Sequence, residues 1–207
     1  MIDAQLRPYF EPPLEVIATL ITKTSITANQ VTIGGFILGL TVIPALAVQQ
    51  YALAIAIIAL NRFCDGLDGA IARIHGITDA GGYLDIVLDF IFYSAVVFGF
   101  CLALPDQVVY GAFLIFSFVG TGTSFLTLSI FAAKKDLTTD IRGTKSIYYL
   151  GGLTEGFETI FTFLLMCLLP AWFWLIACIF GTLCWVTTVT RIITSYRLLL
   201  PDEDKQA

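Results

Sequence analysis

Apolar residues fill six long stretches of this chain, separated by short polar joints. They run Val31–Val48, Tyr51–Ile74, Gly82–Leu104, Val108–Ala133, Ile147–Leu169 and Ala171–Tyr196. Each is long enough to cross a hydrocarbon layer of about 30 Å as a helix. Barrel-type alternation is missing from them, so the backbone must satisfy itself within helices. Upstream, Leu14, Ile17, Leu20 and Ile21 share one face of a short helix entered after Pro12 and Pro13, the spacing of a helix lying along a membrane surface. Thr27 or Asn29 can cap the first span. The pattern predicts an all-α integral membrane protein: six transmembrane helices preceded by a short amphipathic interfacial helix. The corresponding parts are residues 1–30, a six-helix domain over 31–196 and a tail over 197–207.

Composition agrees with the pattern. Of 207 residues, 57% are hydrophobic and 13% charged, against roughly 25% charged in soluble domains. A net charge of -5 offers no basic field for nucleic acid. Lys23, Lys134, Lys135, Arg142, Lys145, Arg197 and Lys205 all fall on the side of the six-span plan that holds both termini. The opposite connections, Gln49-Gln50, Pro105–Gln107 and Pro170, carry neither Lys nor Arg. Excess Lys and Arg marks the cytoplasmic face, so both termini are expected there. Asp3, Arg7, Glu11 and the proline pair are unlike a cleavable signal peptide. Cys64, Cys101, Cys167, Cys178 and Cys184 stand singly in apolar surroundings and read as small packing residues. With His75 the only histidine, chemistry built on several histidines is excluded.

Chemistry concentrates in Asn61-Arg62-Phe63-Cys64-Asp65-Gly66-Leu67-Asp68-Gly69-Ala70-Ile71-Ala72-Arg73 and Gly81-Gly82-Tyr83-Leu84-Asp85-Ile86-Val87-Leu88-Asp89. Asp65 and Asp68 share one helix face, and Asp85 and Asp89 share another. The connection between the two helices is short, so they should run antiparallel with their carboxylates at one depth. A carboxylate at a helix centre in a membrane costs about 2.5–3.5 kcal/mol on insertion scales, and clustered carboxylates also repel. Arg62 and Arg73 cannot neutralise all four, whereas hard divalent cations suit carboxylate oxygens. Gly66 and Gly69 each cost about 1 kcal/mol relative to alanine inside a helix. Gly69 and Ala72 leave a smooth surface beside Asp68 where a flat group or a phosphate can approach the backbone, and Gly81 opens the facing wall. Close helix packing is the competing explanation for the small residues.

The run Asp65-x2-Asp68-Gly69-x2-Ala72-Arg73-x7-Gly81-x3-Asp85-x3-Asp89 resembles the signature of the CDP-alcohol phosphotransferase (CDP-alcohol phosphatidyltransferase) family. The stretch between Arg73 and Gly81 is one residue shorter than in many members. The resemblance implies that Asp65, Asp68, Asp85 and Asp89 hold two divalent cations, Mg²⁺ or Mn²⁺, and that Asp89 is also the base for the acceptor hydroxyl. It implies that Gly69 and Ala72 border the cytidine, that Arg73 and Asn29 touch the diphosphate, and that Gly81 belongs to the same CDP site. The implied activity is transfer of a phosphoalcohol group from a CDP-alcohol to a second alcohol with release of CMP. CDP-diacylglycerol is the first donor to consider and glycerol 3-phosphate the first acceptor. A bacterial inner membrane and a cytoplasmic site follow, and homodimers are common among proteins of this kind.

Other features are less specific. Arg142 and Lys145 are candidates for an acceptor phosphate, with ordinary cytoplasmic basic residues as the alternative. Glu155 and Glu158 stand three apart near the fifth span, candidates for acceptor recognition or for pairing with Arg191 or Arg62. Ser117, Thr121, Thr123 and Ser124 suit interhelical or own-backbone hydrogen bonds. Gly35-x3-Gly39 allows a close helix contact, within the chain or in a dimer, and Trp172, Trp174 and Tyr196 suit an interfacial belt. Two competing functions are a cation or proton carrier and an inactive structural membrane subunit. The carrier leaves the glycine–alanine–arginine spacing unexplained, and four intact acids argue against the inactive subunit.

Overall fold

The computed structural model describes residues 2–135 and 154–200, with backbone alone for residues 2–11. All regular structure among them is helical: α1 (Ile2–Ile21), α2 (Ala28–Leu40), α3 (Val42–Ala47), α4 (Tyr51–His75), α5 (Asp79–Ala103), α6 (Val108–Lys134), α7 (Gly156–Leu168) and α8 (Phe173–Leu199). Single 3-10 turns at Pro105–Gln107 and Pro170–Trp172 lead into α6 and α8. Among the described residues, four helical stretches are long and apolar enough to cross a membrane: Ala28–Ala47, Asp79–Ala103, Pro105–Lys134 and Pro170–Leu199. At 25 residues α4 is as long as α5, but Asn61, Arg62, Asp65, Asp68 and Arg73 interrupt its apolar run. The upstream part of the expected Ile147–Leu169 span lies outside the described residues.

Local chemistry accounts for the joints. Thr27, rather than Asn29, caps α2 through a reciprocal box: its Oγ1 accepts from Gln30 N at 3.3 Å, and its own N–H donates to Gln30 Oε1 at 2.9 Å. That pairing satisfies two donors at the helix start and leaves Asn29 free for a neighbour. The first expected span is split at Thr41, because Pro44 has no N–H for the Leu40 carbonyl and its ring crowds that turn. Thr78 caps α5, its Oγ1 accepting from Gly81 N at 3.1 Å. At the amino end, α1 runs through Pro12-Pro13 instead of beginning after them. The two prolines remove donors to the carbonyls of residues 8 and 9, yet their fixed φ is compatible with helix.

Two cores result. The larger joins α3 to α8 through Leu46, Ile58, Phe92, Leu114, Phe163 and Phe173, with Phe100 and Phe173 stacked at 5.0 Å. The smaller lays Leu14, Ile17, Ala18 and Ile21 of α1 on Leu67, Ala70 and Ile71 of α4. Leu20, expected on that face, is 59% exposed. Cys167 and Cys184 are buried core residues. Ser117, Thr121, Thr123 and Ser124 bond carbonyls of their own helix.

The joint that positions the site lies between α2 and α4. A Cβ on Gly35 would come 2.5 Å from Cys64 Cβ, and one on Gly39 would come 2.7 Å from Asn61 Nδ2. The Gly35-x3-Gly39 face is therefore used within the chain, and Asn61 Nδ2 donates to the Gly35 carbonyl at 3.0 Å. Helix α2 packs against both α4 and α5, while the backbones of α4 and α5 make little direct approach. The expected antiparallel pair is thus held apart by α2, which leaves room for side chains between them. Overpacking a close interface costs about 1–3 kcal/mol. Gly35→Ala should therefore lower stability by that amount in a thermal or denaturant titration, and Gly34→Ala, with nothing within 4 Å of its Cβ, should not.

Candidate active site

Four carboxylates enter the space between α4 and α5. Ligand oxygens of Asp65, Asp85 and Asp89 lie within 4.8 Å of one another, the product of i, i+4 spacing on α5 meeting one turn of α4. Asp68 is set one turn further along α4 and is 5% exposed. It lines the same cleft, together with Thr32, Gly35, Asn61 and Arg62. Its Oδ2 is buried with no hydrogen-bond partner among the described residues. A buried charged oxygen without a partner is expensive. An all-carboxylate donor set with one orphaned oxygen fits hard divalent cations such as Mg²⁺ or Mn²⁺.

One guanidinium is built into the cluster. Arg62 Nη2 donates to Asp89 Oδ1 at 2.6 Å and Nη1 to Asp89 Oδ2 at 3.3 Å, with Asp65 Oδ2 3.4 Å from Nη1. Tyr93, one turn after Asp89, donates its hydroxyl to Asp89 Oδ2 at 3.1 Å. Asn61 Oδ1 accepts from Arg62 Nη2 at 2.7 Å and Nε at 3.0 Å. Arg62 therefore pairs with the aspartates, not with Glu155 or Glu158. Sequence reasoning missed Tyr93 and Thr32 and underrated Asn61 and Arg62. The signal was there in part: Arg62 precedes Asp65 by three and Tyr93 follows Asp89 by four, both same-face offsets.

The other candidates divide. A Cβ on Gly81 would lie 3.1 Å from Asn29 Oδ1, and one on Gly69 would meet Arg73 Nη1 at 3.6 Å. Asn29 thus adjoins Gly81 across α2 and α5, and Arg73 lies over an otherwise open Gly69 beside Asp68. Ala72, partly buried, is one turn along the same helix. Gly66 has a packing role, since a Cβ there would come 2.9 Å from Leu14 Cδ1. Glu155 and Glu158 form a capping box at the start of α7, Glu158 Oε2 accepting from Glu155 N at 3.1 Å. The next residue, Gly156, would place a Cβ 3.6 Å from the Tyr93 hydroxyl, so this cap abuts the cluster. Arg191 donates to the Thr121 carbonyl at 3.0 Å. Arg142 and Lys145 lie outside the described residues.

The family profile described as CDP-alcohol phosphatidyltransferase matches residues 25–193. The chain belongs to that family. Within it, the chain is 50% identical over 200 residues to an Escherichia coli protein named inner membrane protein YnjF, covering 96% of this chain and 97% of that one. It is 37% identical over 100 residues to the archaetidylinositol phosphate synthase of Pyrococcus horikoshii, covering 48% of this chain and 53% of that one. Its fold is that of Mycobacterium tuberculosis phosphatidylinositol phosphate synthase (PgsA1), a structure with CDP-DAG bound, at TM-score 0.71 and 19% identity over 88% of this chain and 93% of that one. Membership in this transferase family answers the carrier reading at family level.

If the carboxylates are a cation site, Asp65→Asn and Asp85→Asn should each weaken Mn²⁺ binding by more than about tenfold, measured calorimetrically on purified protein. Glu158→Ala, which deletes half of a cap, should instead cost about 0.5–2 kcal/mol of stability and leave Mn²⁺ affinity unchanged.

Proposed function

We propose that the chain transfers a phosphatidyl group from CDP-diacylglycerol to the hydroxyl of a second alcohol and releases CMP. The observation that carries this reading is the meeting of Asp65, Asp85 and Asp89 within 4.8 Å, with buried Asp68 in the same cleft. In the reading, the four aspartates hold two divalent cations, Mg²⁺ or Mn²⁺, which supply charge neutralisation for the diphosphate and the departing CMP. Asn29 and Arg73 meet the diphosphate, Gly69 and Ala72 border the cytidine, and Gly81 belongs to the same CDP site. Asp89 takes the proton of the acceptor hydroxyl. The acceptor oxygen bonds to the phosphorus that carries diacylglycerol, the bond from that phosphorus to the bridging oxygen breaks, and CMP leaves with the electron pair.

The donor is supported by the family and by the mycobacterial neighbour, whose structure holds CDP-DAG. Glycerol 3-phosphate remains the first acceptor. The names of two relatives, both inositol phosphate lipid synthases, put inositol phosphate beside it. Arg142 and Lys145 would meet a phosphorylated acceptor. Glu155 and Glu158, at the edge of the cluster, would meet its hydroxyls in addition to capping α7. The finer topology belongs to the same proposal: α4 and α7 complete six spans in residues 31–196, with both termini and the aspartates on the cytoplasmic side of a bacterial inner membrane. The Lys and Arg asymmetry supports that orientation.

Purified protein given CDP-diacylglycerol, Mn²⁺ and a panel of acceptors should release CMP, and EDTA should abolish the release. Positioned general bases contribute about 10²–10⁴-fold, so Asp89→Asn should lower turnover by that factor while eluting as folded protein. Unchanged turnover would remove Asp89 as the base.

A further inference from the structure

The Arg62 guanidinium is held more firmly than a surface counter-ion. Its side chain is 19% exposed, and all three of its nitrogens have acceptors among Asn61, Asp65, Asp89 and Tyr93. The guanidinium carbon lies 5.3 Å from the Phe92 ring centroid and 5.5 Å from that of Tyr93. Its anchor, Asn61, is 5% exposed and is itself fixed to the Gly35 carbonyl at 3.0 Å. A chain of contacts therefore runs from the α2 backbone through Asn61 and Arg62 to the carboxylate of Asp89. Both oxygens of Asp89 are engaged, yet Asp89 still has an oxygen within 4.8 Å of its two neighbours.

We infer that Arg62 is a positioning residue that works as a resident cation of the carboxylate cluster. It fixes the rotamer of Asp89 by a two-point grip and stands as permanent positive charge beside the residues assigned to the divalent cations. That charge has two opposed effects. It offsets carboxylate repulsion, so the fold does not depend wholly on bound metal. It also opposes an added cation and competes for Asp89, so metal is held less tightly than four free aspartates would hold it. The inference rests on the proposed metal-dependent transfer, and it predicts a trade: loss of the guanidinium tightens metal binding while turnover falls. A purely structural arginine predicts no such tightening. Arginine and lysine also separate the two parts of the role, because lysine keeps the charge and loses the planar fork.

Calorimetric Mn²⁺ titration of purified wild type, Arg62→Gln and Arg62→Lys, without nucleotide or lipid substrate, decides this apart from activity. Arg62→Gln should bind Mn²⁺ at least about tenfold more tightly, as one adjacent positive charge is gone. Its melting temperature should depend more steeply on Mn²⁺ than that of wild type. Arg62→Lys should bind Mn²⁺ within about threefold of wild type, as its charge is kept, and show a lower kcat for CMP release at unchanged KM for the donor. Mn²⁺ affinity in Arg62→Gln equal to or weaker than wild type would overturn the inference, as would Arg62→Lys binding metal as tightly as Arg62→Gln. If Arg62→Gln is not recovered folded, Arg62→Lys decides alone: a lower kcat with wild-type Mn²⁺ affinity supports the grip, and an unchanged kcat overturns it. These outcomes leave the transferase reading separately testable, because wild-type CMP release does not enter the Mn²⁺ comparison.

Discussion

Four carboxylates gathered between two helices of a membrane protein repel one another in a medium that screens poorly, and the surrounding structure is organised around that repulsion. Helices α4 and α5 do not close on each other; α2 packs against both and leaves a cleft for the acids. The close approach of α2 to α4 depends on Gly35, whose missing side chain makes room for Cys64. The same approach places the Gly35 carbonyl where Asn61 reaches it. Asn61 then orients Arg62, and Arg62 grips Asp89. A substitution on α2 can therefore reach the acids through one continuous set of contacts.

Family membership gives this arrangement its chemical meaning, and the rest of the chain serves it in two ways. The larger core, with Phe100 stacked on Phe173, joins α5 to the later helices and keeps the aspartate-bearing stretch of α5 in place. The smaller core lays α1 on α4 over Leu67, Ala70 and Ile71, the apolar positions interleaved with Asp65 and Asp68. The aspartates and the α1-binding face thus share one helix, with successive residues turned to different neighbours.

Much of this was legible in the sequence where a local rule decides. Hydropathy located the apolar helices, and i, i+3 and i, i+4 spacing put the aspartates on facing surfaces. Thr27 was one of two cap candidates, and Gln30 three residues on, which completes the box, was the signal that separates it from Asn29. What escaped reading depended on which neighbour a face meets. Gly66 and Gly69 look alike in sequence, but Gly66 accommodates Leu14 whereas Gly69 lies open beneath Arg73. Arg62 was recognised as a cation, yet its grip on Asp89 depends on the spacing that α2 imposes. The prolines were misread in two ways: α1 passes through Pro12-Pro13, where the helix was expected to begin, while Pro44, passed over within one expected span, divides α2 from α3. Glu155 and Glu158 drew notice as acids near a membrane span, while their offset of three also suits a helix cap.

The most direct test of the central claim is anomalous diffraction from crystals of the wild-type protein soaked with Mn²⁺ and CDP-diacylglycerol. Manganese signal among Asp65, Asp68, Asp85 and Asp89, with the diphosphate against it and Arg62 still on Asp89, is the predicted result. A bound donor whose diphosphate lies away from these aspartates, with no manganese among them, would contradict it.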